Sequence, residues 1–462
     1  MTSISNYAKN RLANFFLNEA GNMTVVGIFG VIAIAASGSF ALDVTNAITS
    51  RTHLQTAADS AAPAELYNRH IMNEDDAKVE ALKIANATLP ASANGQAILL
   101  EDIEFGRLDS NTGEFIAEPG LKNAVRVMAT LNGDRDNALP TYLMKFLGVT
   151  NFDLAAQSIY TSYRPGCLRE GFVAQNVVDV QSNNTFSNGF CIHSNTYVKL
   201  SNNNTFEPGT IVSMPNLGDL QLPKSGFESN GGLETALRKS STNLRILARI
   251  DNIIYKHENP SAALSSYPDP ELAADTPPLP PYLKDSIPIS SMHKSITTAE
   301  IYALGGGLGR GRIHLMKCQG ASGLTIDASA QPLADVVIIS TCTIKFSGGS
   351  KIENARIISK STAADSINSP SGLHLGRDDN CAVGGGAQLL TLGSMKFPSD
   401  LHIYGSQLMA KGDISFTANA DAIQGASLIA GGSISGTSNM NMGLCLNGME
   451  DNLEISYFRL AR

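Results

Sequence analysis

Twenty consecutive residues, Met23–Leu42 (MTVVGIFGVIAIAASGSFAL), carry neither a charge nor a proline. A helix of that length rises about 30 Å, the thickness of a bilayer's hydrocarbon core. The stretch is apolar all round, so it predicts a spanning helix rather than an amphipathic one lying on a surface. Gly27, Gly30 and Gly38 suit a membrane helix and would weaken a soluble one. Asn22 is placed to cap it. Lys9 and Arg11 precede the stretch and Asp43 closes it. Basic residues on the N-terminal side favour that side staying in the cytoplasm. The rest of the chain then lies outside, which for a bacterium means the periplasm. Two other readings compete: a cleaved secretory signal, with Gly38-Ser39-Phe40-Ala41 as a weak cleavage site, and a buried core helix.

Beyond the span the helical pattern continues from Asp43 to Asp59, with Ala47, Ile48, Leu54, Ala58 and Ala61 near one face. Pro63 is expected to kink or interrupt it. A second helix is expected over Glu74–Thr88, with Ala77, Val79, Leu82, Ile84 and Ala85 as its apolar residues. Residues 97–163 then read as strands. Ala97–Leu100 leads to Ile103–Gly106, a turn follows at Asp109–Gly113, and Phe115-Ile116 precedes an alternating strand at Asn123–Thr130. A short helix over Leu139–Leu147 and a closing strand over Phe152–Tyr160 complete a small α+β domain.

The pattern changes after residue 164. Val178–Gly189 (VDVQSNNTFSNG) is echoed without gaps by Val198–Gly209 (VKLSNNNTFEPG), twenty residues on. A period of about twenty belongs to solenoids, whose units bury their apolar faces only against neighbouring units. One coil of a parallel β-helix would stack Val180 on Leu200, Phe186 on Phe206, and Asn184 on Asn204 as an amide ladder. The repeat returns later. Val337-Ile338-Ile339 is followed twenty residues on by Ile357-Ile358; Gly393–Phe397, Gly412–Phe416 and Gly432–Gly436 recur at 19 and 20; and Leu408-Met409-Ala410 recurs as Leu428-Ile429-Ala430. Between the blocks, Leu233, Leu237, Leu244, Leu247, Ile250 and Ile254 suggest an amphipathic helix of about six turns. Thr276–Pro281 (TPPLPP) reads as extended and exposed. Gly305–Gly311 (GGGLGRG) matches no phosphate-binding fingerprint and reads as a turn.

The expected fold is therefore α+β and all-β: an N-terminal transmembrane helix, a small membrane-proximal α+β domain, then a parallel β-helix with a helical insertion. The boundaries fall at 1–22 for a cytoplasmic tail, 23–42 for the span and 43–163 for the α+β domain. Residues 164–215 form a first block of coils, 216–311 the helical and proline-rich insertion, and 312–462 a second block. Composition agrees. Glycine is abundant, tryptophan absent, and charged residues make up only 16%, as suits stacked short strands and turns. A net charge of −8 with no basic cluster argues against nucleic acid.

Six cysteines allow fifteen pairings. Cys167 and Cys191 are 24 apart, as are Cys318 and Cys342, which suggests one structural unit used twice and leaves Cys381 with Cys445. Free buried thiols are the alternative. No CxxC occurs, so neither a zinc ribbon nor a thioredoxin-type centre is supported, and no cofactor or metal is expected. Polysaccharide-active enzymes also use β-helices and need clustered carboxylates on one face. Here Asp378 and Asp379 are adjacent and point apart, while Asp400, Asp413 and Asp421 are scattered. The eight histidines form no HExxH or HxH, and His193 reads as a coil-surface residue rather than a ligand. A carbohydrate-binding module would want exposed aromatics. Phe186, Tyr197 and Phe206 are candidates, with inward stacking the competing reading.

Gly21, Asn22 and Asp43, with Arg51, Leu54, Gln55, Ala57, Ala58, Asp59, Ala61 and Ala62, resemble the N-terminus of the TadE/TadG-like proteins of the tight-adherence (Tad, or Flp) pilus system. Pro63 departs from the pattern, where the alanine run usually continues. Prepilin-type cleavage after Gly21 would need Glu where Val26 stands. The paired cysteines, Phe190–Asn195 (FCIHSN) and Tyr404–Gly432 extend the resemblance to the large TadG-type members. It implies a structural, non-enzymatic, membrane-anchored component of pilus assembly and secretion that supports adhesion. Its partners would be inner-membrane lipid and other components of the machinery, and its oligomeric state is open. A β-helical polysaccharide-active enzyme or carbohydrate-binding module is the alternative.

Overall fold

The computed structural model describes residues 20–461 except 110–111, 274, 303–308, 319–322, 437 and 446, and leaves out the side chains of 20–22, 271 and 419–422 as well. The expected tail therefore lies largely outside the described residues, as do Ser110-Asn111 of the first turn and 305–308 of the glycine loop. The chain forms two compact units, one of residues 1–163 with 458–462, the other of 164–457.

The first unit is built on one helix, α1 (Ala20–Ile71), 52 residues long. Asn22 lies inside α1 and so does not cap it. Pro63 does not end it either: Leu54, Ala57, Ala58, Ala61, Ala62 and Leu66 are fully buried on both sides of the proline. That burial outweighs the single backbone bond a proline removes. Their partner is an antiparallel sheet containing β1 (Ile103–Leu108), β2 (Phe115–Ala117), β3 (Ala124–Leu131) and β4 (Leu154–Tyr163), ordered β2-β1-β3-β4, with Tyr457–Leu460 beyond β4. Alanines on the buried stripe let the helix lie close on the sheet. α2 (Glu74–Thr88) packs beside α1 through Ala81 and Ala85 and is capped by Asn73, whose side chain accepts from the Asp76 N–H.

Two expectations here are corrected. Ala97–Leu100 is not a strand; it leads into a 3-10 turn at Leu100–Asp102, where the Asp102 carboxylate accepts the Leu99 N–H. Leu139–Leu147 is not an α-helix. Pro140 sits in a short strand pairing with Asn151-Phe152, and only Met144–Leu147 turns, as 3-10.

The second unit is a parallel β-helix, and its order in space is not its order in sequence. In register, Leu315 stacks on Ile339, Ile339 on Ile358, Ile358 on Leu390, Leu390 on Met409 and Met409 on Ile429. Ile429 then stacks on Val173, Val173 on His193 and His193 on Ser213. The last coil of the second block thus lies directly on the first coil of the first block. Ile338 pairs with Ile357, an offset of 19 rather than 20. Phe186 and Phe206 stack inside, 4.9 Å between centroids and 12° between planes. The amide ladder runs through Asn184 and Asn204, at 2.9 Å, and on to Asn230, at 3.1 Å.

The strands of the second block read VVIIS, ARIIS, AQLLT and QLMA because they are buried on both faces. Residues 240–288 run along the outside as a strap from the Leu237–Lys239 end to the Ile289–His293 end. Thr242 bonds Asn195, Asp251 pairs with Lys411, Glu258 with Lys360 at 2.7 Å, and Lys284 N–H donates to Gly311 O at 2.9 Å. The expected six-turn helix is replaced by several pieces. Leu233 and Ala236 plug the solenoid core, Ser240–Asn243 adopts no helix, and only α3 (Ile250–Glu258) is regular, laying Ile250, Ile253 and Ile254 on the outer column. The proline run is irregular, but Thr276, Pro277 and Pro280 are buried, so it is not an exposed tether.

Candidate functional site

Asp43 follows the last apolar residue of the expected span and is 1% exposed. Its carboxylate accepts three consecutive backbone N–H groups, from Tyr142 (2.6 Å), Leu143 (3.0 Å) and Met144 (2.6 Å). Burial pushes its pKa up; those three bonds and the charge of Lys145 outweigh it, and the net shift is down. The carboxylate therefore clamps the 142–147 loop to the helix. Below the clamp Leu143, Phe146 and Leu147 face Ile32, Ala35, Ala36, Gly38, Ser39 and Leu42 across an apolar groove. Residues 23–42 are almost wholly exposed in the chain as it stands, as a spanning segment would be before lipid is added.

Further along α1, Gln55 donates to Gln157 O (2.9 Å) and to Asp59 (2.9 Å), fixing the helix on β4. Glu65 is fully buried and neither carboxyl oxygen has a hydrogen-bond partner. Burial raises its pKa to about 8, against the nearby charges of Lys78 and Arg69. Sequence pattern passed over Glu65, since a glutamate on a helix is ordinarily a surface residue.

In the second unit the cysteines are paired as Cys167–Cys191, Cys318–Cys342 and Cys381–Cys445, with Cα separations of 4.9, 5.8 and 5.3 Å. The two 24-residue gaps are not one unit used twice. Cys167 precedes the strand Gly171–Ala174 and reaches the start of the next coil, whereas Cys318 closes its strand and bonds to the turn after Ser340. His193 is not on the surface. It is 2% exposed, with its Nδ1 2.8 Å from Ser213 Oγ and its Nε2 3.0 Å from Asn195 Oδ1, and burial lowers its pKa. Phe186 and Phe206 face inward and Tyr197 is half-buried against the same core, so they offer no stacking platform.

One surface column collects polar side chains that sequence spacing kept apart. His374 and His402 stack at 4.1 Å and 7°, with Lys351 next in register. Asp400 lies 3.1 Å from His402, and Arg377 pairs with Glu353 and Asp379. Asp413 and Asp400 are far apart in the repeat: Asp413 accepts the Ser433 N–H as a turn residue. Among the described residues no group of three or more His, Cys, Asp or Glu side chains is arranged to hold a metal ion.

Under the strap lies a buried basic pair. Arg356 Nη1 is 2.7 Å from His257 Nε2 and also points at Pro278 O, while Nη2 donates to Asp451 O. His257 Nδ1 lies 2.6 Å from Ile253 O, so Nδ1 carries the proton and Nε2 accepts from the guanidinium. Burial and the adjacent Arg356 charge lower the His257 pKa to about 3.

Comparison with known families gives two matches. Residues 171–446 match a family described as a domain of unknown function (DUF7867). Residues 38–159 match a family described as putative Tad-like Flp pilus-assembly. The second match begins within the span and takes in Asp43, the buried alanine stripe of α1 and the sheet under it. No curated protein and no solved structure matches the chain.

Proposed function

The chain belongs to the DUF7867 family through its β-helical body and is Tad-like in its membrane-proximal unit, and from that premise we propose that it is a single-pass scaffold of the Flp pilus-assembly machinery. Residues 23–42 cross the inner membrane with the N-terminus in the cytoplasm. Everything after the span lies in the periplasm, the body is stapled by its disulfides, and the whole works by position rather than by catalysis, as a TadG-type component would. The observation that carries this reading is α1 itself. One helix runs from the apolar span into the core of the Tad-like unit. Displacement of that unit is thereby coupled to the bilayer without a flexible joint, which suits a part that must hold machinery in place.

The test is deletion and complementation in the source bacterium, with an export-dependent reporter fused after Arg462. The expected outcome is loss of surface Flp pili and tight adherence, restored by the full chain, with reporter activity only outside the cytoplasm. Unchanged piliation would sink the reading. A polysaccharide-active β-helix is favoured by one observation, the His374–His402 column with Asp400. Full complementation by a His374→Ala/His402→Ala chain would count against it.

A further inference from the structure

We propose that the 141–149 loop is a second membrane contact: a hydrophobic finger that enters the lipid beside the spanning helix, in the leaflet on the body's side. This rests on the reading of Met23–Leu42 as a span. Three observations carry it further.

The first is depth. Asp43 holds Tyr142, Leu143 and Met144 at the level where the apolar span ends. From there the loop runs back along the span, because Phe146 and Leu147 line one groove with helix residues between Ile32 and Leu42. Ala36 is seven residues before Asp43, which at 1.5 Å per residue is about 10 Å down the helix axis. A side chain held there is below the headgroups, at the depth interfacial apolar anchors reach.

The second is composition. Phe146 is 79% exposed, Leu147 62% and Tyr142 61%. Clustered at one loop tip, such exposure marks an interaction surface rather than a scatter of single residues. Tyr142 sits at the clamp, at the depth where amphipathic rings collect. The one charge, Lys145, has a stem long enough to reach back to the headgroups. Ala35, Ala36, Gly38 and Ser39 give the helix a narrow face for the loop to lie along.

The third is the backbone. In hydrocarbon an unpaired N–H or C=O costs several kcal/mol, so only a loop that satisfies itself can enter. The N–H groups of 142, 143 and 144 go to Asp43. Those of Thr141, Phe146, Gly148 and Val149 go to Thr150, Leu143, Lys145 and Met144 oxygens. The Thr141 hydroxyl donates to Val149 O at 2.6 Å. The occupant of the exposed side is lipid, because the patch continues the apolar surface of the span without a break.

The chain has no tryptophan, so Phe146→Trp creates a lone tryptophan at the tip, excited selectively at a wavelength the twelve tyrosines do not absorb. The full chain would be placed in phosphatidylcholine vesicles brominated at shallow or deep acyl positions. Phe29→Trp reports on the span and Phe227→Trp, on the body, is the aqueous control. Blue-shifted F146W emission, quenched by acyl bromines as strongly as F29W while F227W is untouched, is the expected result. Leu147→Trp should behave the same and guards against local misfolding of one variant. If F29W is quenched but F146W emits as in water and yields only to aqueous quenchers, the finger is wrong and the span stands. If F146W is blue-shifted yet not quenched by lipid bromine, a protein surface covers the tip and the inference also fails. If F29W itself is unquenched, the span and the finger both fall.

Discussion

At the residue scale, the informative side chains are those that break a local rule. Glu65 is a carboxylic acid without a partner in the core of the first unit. Its folded pKa is about 8 against an ordinary 4.5. Between those values the unfolded chain is ionised there and the folded chain is protonated. The folded state binds the extra proton, so stability falls as pH rises from about 4.5 to about 8 and is level outside that window. The total is on the order of a few kcal/mol. Glu65→Gln keeps the shape and cannot ionise, so its thermal unfolding should match the parent below the window and exceed it at pH 8. A parent profile already flat across the window would show that water or a partner reaches Glu65. In the body, Asn204 is the middle rung of the ladder, accepting from Asn184 and donating to Asn230. Asn204→Ala removes both rungs and strands the buried Asn184 backbone N–H, and should cost about 2–4 kcal/mol in chemical denaturation. A second column, Asn203–Asn183–Asn439, has all three residues at φ near +60° with their side-chain amides linked. It sits one position from the first because asparagine tolerates the left-handed turn that closes each coil. The double and triple asparagines of the repeat are thus two ladders with two different jobs.

At the element scale, the strap is held by a base that must stay neutral. His257 accepts from Arg356 through Nε2, which it can do only unprotonated. Its folded pKa is about 3 and its ordinary one 6.5. As pH falls from 6.5 to 3 the unfolded state takes up a proton the folded state refuses, and the body loses stability over that window. The strap should open first, since Arg356 would then face a second cation. Hydrogen exchange at pH 4.5 should show α3 losing protection before the inner strands. His257→Gln, which accepts without titrating, should hold its protection flat across the same range, though lower than the parent at neutral pH. Equal protection of strap and strands at acid pH would refute this. The slope is opposite to that of Glu65, so each unit has its own sign. The strap also shows where sequence reading stopped. A repeat of about twenty was legible because a coil places like on like, as Phe186 on Phe206. The apolar runs VVIIS and AQLLT carried a sign of a cover that the repeat reading passed over: they do not alternate, because both of their faces are buried. Helical spacing over Leu233–Ile254 misled, because six apolar residues that serve the core plug, the last strand and the outer column fall on helical intervals by position alone. Asp43 was visible as a residue, but its partners are backbone N–H groups about a hundred residues away, which carry no sequence signature.

At the scale of the body as a whole, the decisive feature is that block order and coil order differ. Offsets between repeats identify neighbours within a block but not which ends meet, since any open coil edge can accept any other. Here Ile429 stacks on Val173, Ile434 on Val178 and Met442 on Phe186. The first block therefore folds onto a surface that is synthesised 256 residues later. Residues 164–239 made alone should be unfolded or aggregated, because one apolar edge has no neighbour. The body's own ends nevertheless meet: Glu454 lies 2.7 Å from Arg164 and 3.2 Å from Arg169. A circular permutant of 164–457, joined through a short Gly/Ser linker and opened near the exposed Leu264, keeps every coil contact and makes the stacked blocks continuous in sequence. It should fold with the disulfides 167–191, 318–342 and 381–445, read by non-reducing peptide mapping, and should refold faster than the parent, since the mean separation of its contacts is shorter. Scrambled pairings in the permutant, with native ones in the parent, would mean that the blocks dock in some other order. Free thiols in both, when the parent is taken from its native membrane, would instead overturn the export of the body.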